Sequence, residues 1–121
     1  MKTLKTMTLL AFLGSFLVAC ASDFNSDSSD DSVWIDVRTT EEYSADHVDG
    51  DANIPLATID PLLLASQFGK DAEINLYCRS GNRAGQAKAL LEAAGFTNVK
   101  NVGGIDDARK LRDLARSSNA Q

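Results

Sequence analysis

Residues 77 to 85 read Tyr77-Cys78-Arg79-Ser80-Gly81-Asn82-Arg83-Ala84-Gly85, gathering one thiol, two guanidinium groups and two glycines. Sulfur attacks as the thiolate, and a free cysteine with a pKa of about 8.5 is mostly protonated at neutral pH, so its surroundings must favour the charge. The preceding run Glu73-Ile74-Asn75-Leu76-Tyr77 alternates as a strand does, and residues 84–94 are rich in Ala and Leu with no proline. Cys78 therefore belongs at the carboxyl end of a strand, with a helix starting just after it. The N–H groups of residues 80–84 then have no intrahelical carbonyl to bind. They face the concavity of the loop and favour an anion there, whether thiolate, sulfur oxyanion or phosphate. Arg79 and Arg83 add full positive charge, Gly81 supplies a positive φ where the loop curls, and Gly85 lets the first helical turn approach the sheet. The plainer alternative, a small buried apolar cysteine at a strand end, calls for neither the arginines nor the glycines.

The elements that must hold this loop alternate along the chain. Val33-Trp34-Ile35-Asp36-Val37 reads as a strand, followed by a helical turn over 40–43 with Thr39 or Thr40 as N-cap. Asp49-Gly50-Asp51 is a turn, 52–56 a brief strand ended by Pro55, and 59–68 a helix with Pro61 in its first turn and Gly69 behind it. After the strand at 73–77 and the helix ending at Ala94, the spacing predicts a strand over 99–102, a break at Gly103-Gly104 and a helix from 106 to 116. Such alternation implies an α/β fold: a small, mostly parallel sheet with helices on both faces and active residues at the carboxyl ends of strands. Residues 33–116 are enough for one small domain with a single core, and 117–121 are expected to be a disordered tail.

The amino-terminal region carries a different message. Met1-Lys2-Thr3-Leu4-Lys5 precedes an apolar run from Leu9 to Ala19, a charged segment and a hydrophobic segment too short to span a membrane comfortably. Residues 1–19 are thus expected to be a secretory signal. Leu17-Val18-Ala19-Cys20 resembles the lipobox of bacterial lipoproteins, which implies that Cys20 is diacylated and becomes the mature amino terminus. The alternative is an ordinary signal peptide cut after Ala19 or Ala21, leaving a soluble periplasmic protein. Ala21 after the cysteine points to the outer membrane, with the domain on the periplasmic face. Residues 20–32 are acidic and polar beyond Cys20 and read as a flexible tether. Losing the two leader lysines from 12 basic residues leaves 10 against 17 acidic ones, a mature net charge of −7, which argues against nucleic acid as a partner. If Cys20 is acylated, Cys78 is a free thiol in an oxidising compartment; a Cys20 to Cys78 disulfide is the competing arrangement.

The chain from about Val33 to Gly104 resembles a single-domain rhodanese of the exported, phage-shock type. Ile35-Asp36-Val37-Arg38 with Glu42-Tyr43 resembles the family's first signature, His47-Val48-Asp49-Gly50-Asp51-Ala52-Asn53-Ile54-Pro55 its second, and Tyr77 to Ala84 its active loop. Gly95-Phe96-Thr97-Asn98-Val99 and Gly103-Gly104 fit its carboxyl-terminal part. One departure is the lack of an aromatic residue in 105–108, a few positions after the paired glycines. The resemblance implies sulfur transfer by double displacement: the Cys78 thiolate takes the outer sulfur of thiosulfate, sulfite leaves, and the persulfide passes its sulfur to cyanide or a thiol. It implies no metal or organic cofactor. Arg79, Ser80, Gly81, Asn82 and Arg83 would form the substrate-binding active loop, with Asp36 and Arg38 supporting it. Arg79 is the favoured substrate contact, while Arg83 either binds substrate or turns to Asp36 or Glu42 and braces the loop. The protein is expected to act as a monomer.

Two rivals use the same devices. Cysteine-based phosphatases and arsenate reductases encircle a tetrahedral oxyanion with one more residue between cysteine and arginine than the four that separate Cys78 from Arg83. A non-enzymatic sulfur carrier would keep the thiol and leave the chemistry to a partner. The single histidine, His47, lies in a turn and is expected to bond to backbone rather than act as a base. Trp34, between Val33 and Ile35, is expected in the core. Arg109, Lys110, Arg112 and Arg116 are expected to form a solvated face favoured by the helix dipole.

Overall fold

The computed structural model describes residues 31–120. The leader, Cys20, the tether up to residue 30 and Gln121 lie outside the described residues. Four strands form one sheet in the order β2-β1-β3-β4, where β1 is Val33–Asp36, β2 Ala52–Asn53, β3 Ile74–Cys78 and β4 Val99–Gly104. Every pairing is parallel. The helices are α1 (Thr40–Ala45), α2 (Pro61–Phe68), α3 (Asn82–Ala93) and α4 (Ile105–Asn119).

Side chains on a strand alternate between its two faces, and here that alternation sorts two cores. Ile35, Val37, Ile74, Leu76 and Cys78 pack with Leu64 of α2 and with Ala84, Ala87 and Leu91 of α3. Tyr77 leaves the other face and packs with Ile105 and Ala108 of α4, against the partly buried Trp34, Val48 and Val102. All five residues of β3 are buried, so the strand that ends in Cys78 is the innermost of the sheet.

Several boundaries differ from the expected ones, each for a local reason. The second strand stops at Asn53, because Pro55 leads into a 3-10 turn over Leu56–Thr58. Helix α2 starts at Pro61 rather than residue 59, since the Asp60 carboxylate accepts from Leu62 N–H (3.0 Å) and Leu63 N–H (3.4 Å) as N-cap. Helix α3 begins at Asn82, so Asn82 and Arg83 are already helical. The paired glycines do not break β4. They finish it, through a bulge that sets Tyr77 opposite Gly103 and Cys78 opposite Gly104. Asp107 then accepts from Gly104 N–H at 2.8 Å and starts α4. That helix runs to Asn119, three residues past the expected end at 116. Nothing in Ser117-Ser118-Asn119 forces a stop, and the two serine hydroxyls donate to the carbonyls of Leu114 and Ala115 inside the helix.

Candidate active site

Cys78 is 1% exposed, at the point where β3 gives way to the turn before α3. Gly81 N–H donates to its Sγ at 3.0 Å. Burial pushes the Cys78 thiol pKa up, but the amides of Ala84, Ser80, Gly81 and Arg83 more than reverse this, and the pKa ends below its ordinary value. The amides of the loop and the first turn of α3 are therefore what stabilise the thiolate. This curl needs glycine at position 81, where φ is +93° and an added Cβ would lie 3.2 Å from Gly103 Cα. Position 104 is tighter still: a Cβ there would meet the Arg79 carbonyl oxygen at 2.6 Å, so β4 and the loop touch backbone to backbone. At Gly85 an added Cβ would approach the Asn101 side chain to 3.3 Å, as expected of a first helical turn held close to the sheet.

The two loop arginines part company. Arg83 turns to Glu42 of α1 in a bidentate pair, with its two terminal nitrogens 2.7 and 3.0 Å from the carboxylate oxygens. It braces the loop against α1 and does not pair with Asp36. The hydrogen bond from Arg83 holds the Glu42 carboxyl at about 2, below its ordinary 4.5. Arg79 is exposed and, among the described residues, has no side-chain partner. Ser80 and Asn82 are exposed; Asn82 Oδ1 accepts from Gln86 Nε2 at 3.0 Å, one turn along α3.

Asp36 and Arg38 form a closed unit behind the loop. The fully buried Asp36 carboxylate accepts from the Arg38 backbone N–H (2.9 Å), Nε (3.0 Å) and Nη2 (2.8 Å). Arg38 Nη2 also donates to the Asp46 carbonyl at 2.6 Å. Asn53 Nδ2 reaches the carbonyls of Asp36 and Arg38 at 3.1 and 3.0 Å and so fixes the end of β1. Charges buried this way hold geometry more than they add stability, because desolvation cancels most of their attraction.

An open cleft of about 440 Å³ lies at this carboxyl-terminal edge, lined by Arg38, Glu42, Asp46, Arg79, Asp106 and Arg109, with Ala45 and Ile105 completing it. Arg109 pairs with Asp46 at 2.7 Å, tying α4 to the end of α1. Arg112 stacks over Trp34 at 4.5 Å and meets the buried carboxylate of Asp51, which also accepts from Tyr77 OH at 2.5 Å. Arg112 is thus drawn inward and is not part of a solvated basic face, while Arg109 stays partly exposed in its pair with Asp46. Ile105, Ala108 and Arg112 lie on one side of the helix at spacings of three and four, and that spacing marks Arg112 as inward-facing. Trp34 is half-buried between Arg112 and Tyr77, with its Nε1 donating to Ser32 Oγ at 3.1 Å. His47 Nδ1 lies 2.9 Å from the Tyr43 carbonyl and its ring stacks on Tyr43, away from the thiol. Among the described residues no group of His, Cys, Asp and Glu is placed to hold a metal ion, and no helix is long and apolar enough to cross a membrane.

The family described as rhodanese-like domain matches residues 21–110. The chain is similar to the thiosulfate sulfurtransferase PspE of Escherichia coli, 40% identical over 74 residues that make up 61% of this chain and 71% of that one. It is also similar to the putative sulfur carrier protein YrkF of Bacillus subtilis, 37% identical over 75 residues, or 61% of this chain and 40% of that longer protein. Among solved structures, a rhodanese with anions from Escherichia coli superposes with a TM-score of 0.57 at 40% identity, covering 63% of this chain and 89% of the other.

Proposed function

The chain belongs to the rhodanese-like domain family, and from that premise we propose that it is a thiosulfate sulfurtransferase working through a persulfide on Cys78. The Cys78 thiolate attacks the outer sulfur of thiosulfate; the new bond is Sγ to sulfur, the bond between the two thiosulfate sulfurs breaks, and its electron pair leaves with sulfite. Cyanide or a thiol then takes the outer sulfur, and the electron pair of the Sγ–S bond returns to Sγ as the thiolate. Arg79 holds the sulfonate oxygens during the first step, since it is the loop cation with no carboxylate partner among the described residues. Arg83, committed to Glu42, keeps the loop in place.

The observation that carries this reading is the convergence of backbone amides on Sγ, with Gly81 N–H at 3.0 Å and the thiol pKa below its ordinary value. Such donors act on whichever anion sits at Sγ, thiolate before transfer and persulfide after it, with no reorganisation between the two. The test is thiocyanate formation from thiosulfate and cyanide by purified protein. Turnover that disappears in Cys78→Ser supports the reading, and turnover of p-nitrophenyl phosphate faster than of thiosulfate replaces it with a phosphatase.

A second reading, a sulfur carrier, draws on the likeness to YrkF. It predicts a persulfide that forms but passes to neither cyanide nor small thiols. The setting we propose is the periplasmic face of a bacterial membrane, the outer membrane being favoured, with Cys20 as the lipid anchor. Incorporation of labelled fatty acid that is lost in Cys20→Ser tests it.

A further inference from the structure

The cleft that Arg79, the residue after Cys78, helps to line holds six charged side chains. Of its three cations, Arg38 is taken by Asp36 and Arg109 by Asp46. Of its three carboxylates, Glu42 is taken by Arg83 and Asp46 by Arg109. Two groups are left over. Arg79 has no side-chain partner among the described residues, and Asp106 is 86% exposed with only a 3.5 Å contact to the already paired Arg109. Both line the same cleft. The fold brings their backbones together, since Cys78 is paired with Gly104 and the Arg79 carbonyl packs against Gly104, two residues before Asp106. The open cleft therefore offers one uncommitted cation, on the residue that follows Cys78, and one anion, two residues beyond Gly104, the strand partner of Cys78.

We infer that this cleft selects the sulfur acceptor, and that the acceptor class is a small zwitterionic thiol of the amino-acid type, with its carboxylate on Arg79 and its ammonium on Asp106. The inference rests on the sulfurtransferase reading. Double displacement allows Arg79 to serve twice, because sulfite has left before the acceptor arrives. It also explains why a carboxylate belongs in the cleft of an enzyme whose donor is a dianion. Sulfite meets Arg79 but faces Asp106 and is helped to leave, whereas a zwitterion satisfies both groups. The acceptor sulfur attacks the outer sulfur of the persulfide: Cys78–S–S⁻ and R–SH give Cys78–S⁻ and R–S–SH, the Sγ–S bond breaking as the new S–S bond forms.

The test measures the second half-reaction alone. Cys78 is loaded with thiosulfate, or with sodium polysulfide in a parallel arm, and loss of the persulfide is timed with four thiols of similar size: cysteine, cysteamine, 3-mercaptopropionate and 2-mercaptoethanol. Each rate is divided by that thiol's rate with a small-molecule persulfide, which removes intrinsic reactivity. Cysteine is expected to lead, with each of the two exposed charge contacts contributing about two- to fivefold and both contributions fading in high salt. Asp106→Asn should lower cysteine to the level of 3-mercaptopropionate, and Arg79→Gln should lower it to the level of cysteamine. Equal normalised rates for the four thiols, 3-mercaptopropionate matching or exceeding cysteine, or variants that slow all four in parallel would overturn the inference. Failure of thiosulfate to load is a separate result that sinks the donor assignment, while the polysulfide arm still ranks the acceptors.

Discussion

Tyr77 and Cys78 are neighbours on β3 whose side chains enter opposite cores, and a buried acid marks each: Asp51, bonded to the Tyr77 hydroxyl, on one side and the Cys78 thiol itself on the other. Burial penalises both anions. At Cys78 the amides of Ala84, Ser80, Gly81 and Arg83 outweigh that penalty and the pKa falls. At Asp51 burial dominates and the pKa rises, despite the Tyr77 hydroxyl and the Arg112 guanidinium. Several amides aimed in advance at the sulfur thus outweigh its burial, whereas a hydroxyl and a guanidinium at the carboxylate do not outweigh that of Asp51. The first arrangement suits an anion that changes identity during a reaction, and the second suits a fixed latch that docks α4 on the sheet.

Removing each acid in turn separates the two arrangements. Cys78→Ser is expected to lower thiocyanate formation by at least about a thousandfold while leaving the fold intact, because the nucleophile itself is gone. Asp51→Asn should do the reverse. It strands Arg112 and disturbs the Tyr77 contact, so stability should fall by about 2–3 kcal/mol, while activity per folded molecule stays within about twofold. Urea denaturation followed by fluorescence reads the effect directly, since Trp34 is the single tryptophan and carries Arg112 on its face.

Smaller effects probe the brace. Glu42→Gln frees Arg83 and should slow persulfide formation by about three- to tenfold, measured as sulfite release. Because the folded Glu42 carboxyl is held at about 2, below its ordinary 4.5, its contribution to stability is complete above 4.5 and is lost as pH falls from 4.5 toward 2. The acid limb of the stability profile should therefore flatten in Glu42→Gln across that window. The smallest expected effect is on titration of the thiol. Alkylation of Cys78 by iodoacetamide should have its midpoint below the ordinary thiol range, and Gly81→Ala, strained at φ +93° and crowded by Gly103, should move it back up.

What could be read from the chain follows how far apart the partners lie along it. The loop from Cys78 to Arg83 is contiguous, so its amides, its nucleophile and its need for Gly81 were all visible. Asp36 and Arg38 are two residues apart and are singled out through the family resemblance, but their mutual pairing is not legible from the spacing. Arg83 and Glu42 are 41 residues apart, and only the parallel order β1-β3, which sets α1 beside α3's first turn, brings the two together as a pair. The Tyr77–Asp51–Arg112 latch is not legible in the sequence, because the basic residues of α4 have the pattern of a charged face. The spacing of Ile105, Ala108 and Arg112 held the signal, but its meaning depends on which side of the sheet α4 covers. The cleft formed by Asp46, Arg79, Asp106 and Arg109 was hidden for the same reason: it joins three segments that only the fold brings together.

The proposed reaction requires that sulfur from thiosulfate come to rest on Cys78. Intact-mass and peptide-mass measurement after incubation with thiosulfate, without reductant and before any acceptor is added, answers this most directly. The expected result is one added sulfur atom per chain, located on the peptide containing Cys78, absent in Cys78→Ser and removed by cyanide. An unmodified Cys78 after exposure to thiosulfate, or an equal mass gain in the serine variant, would contradict it.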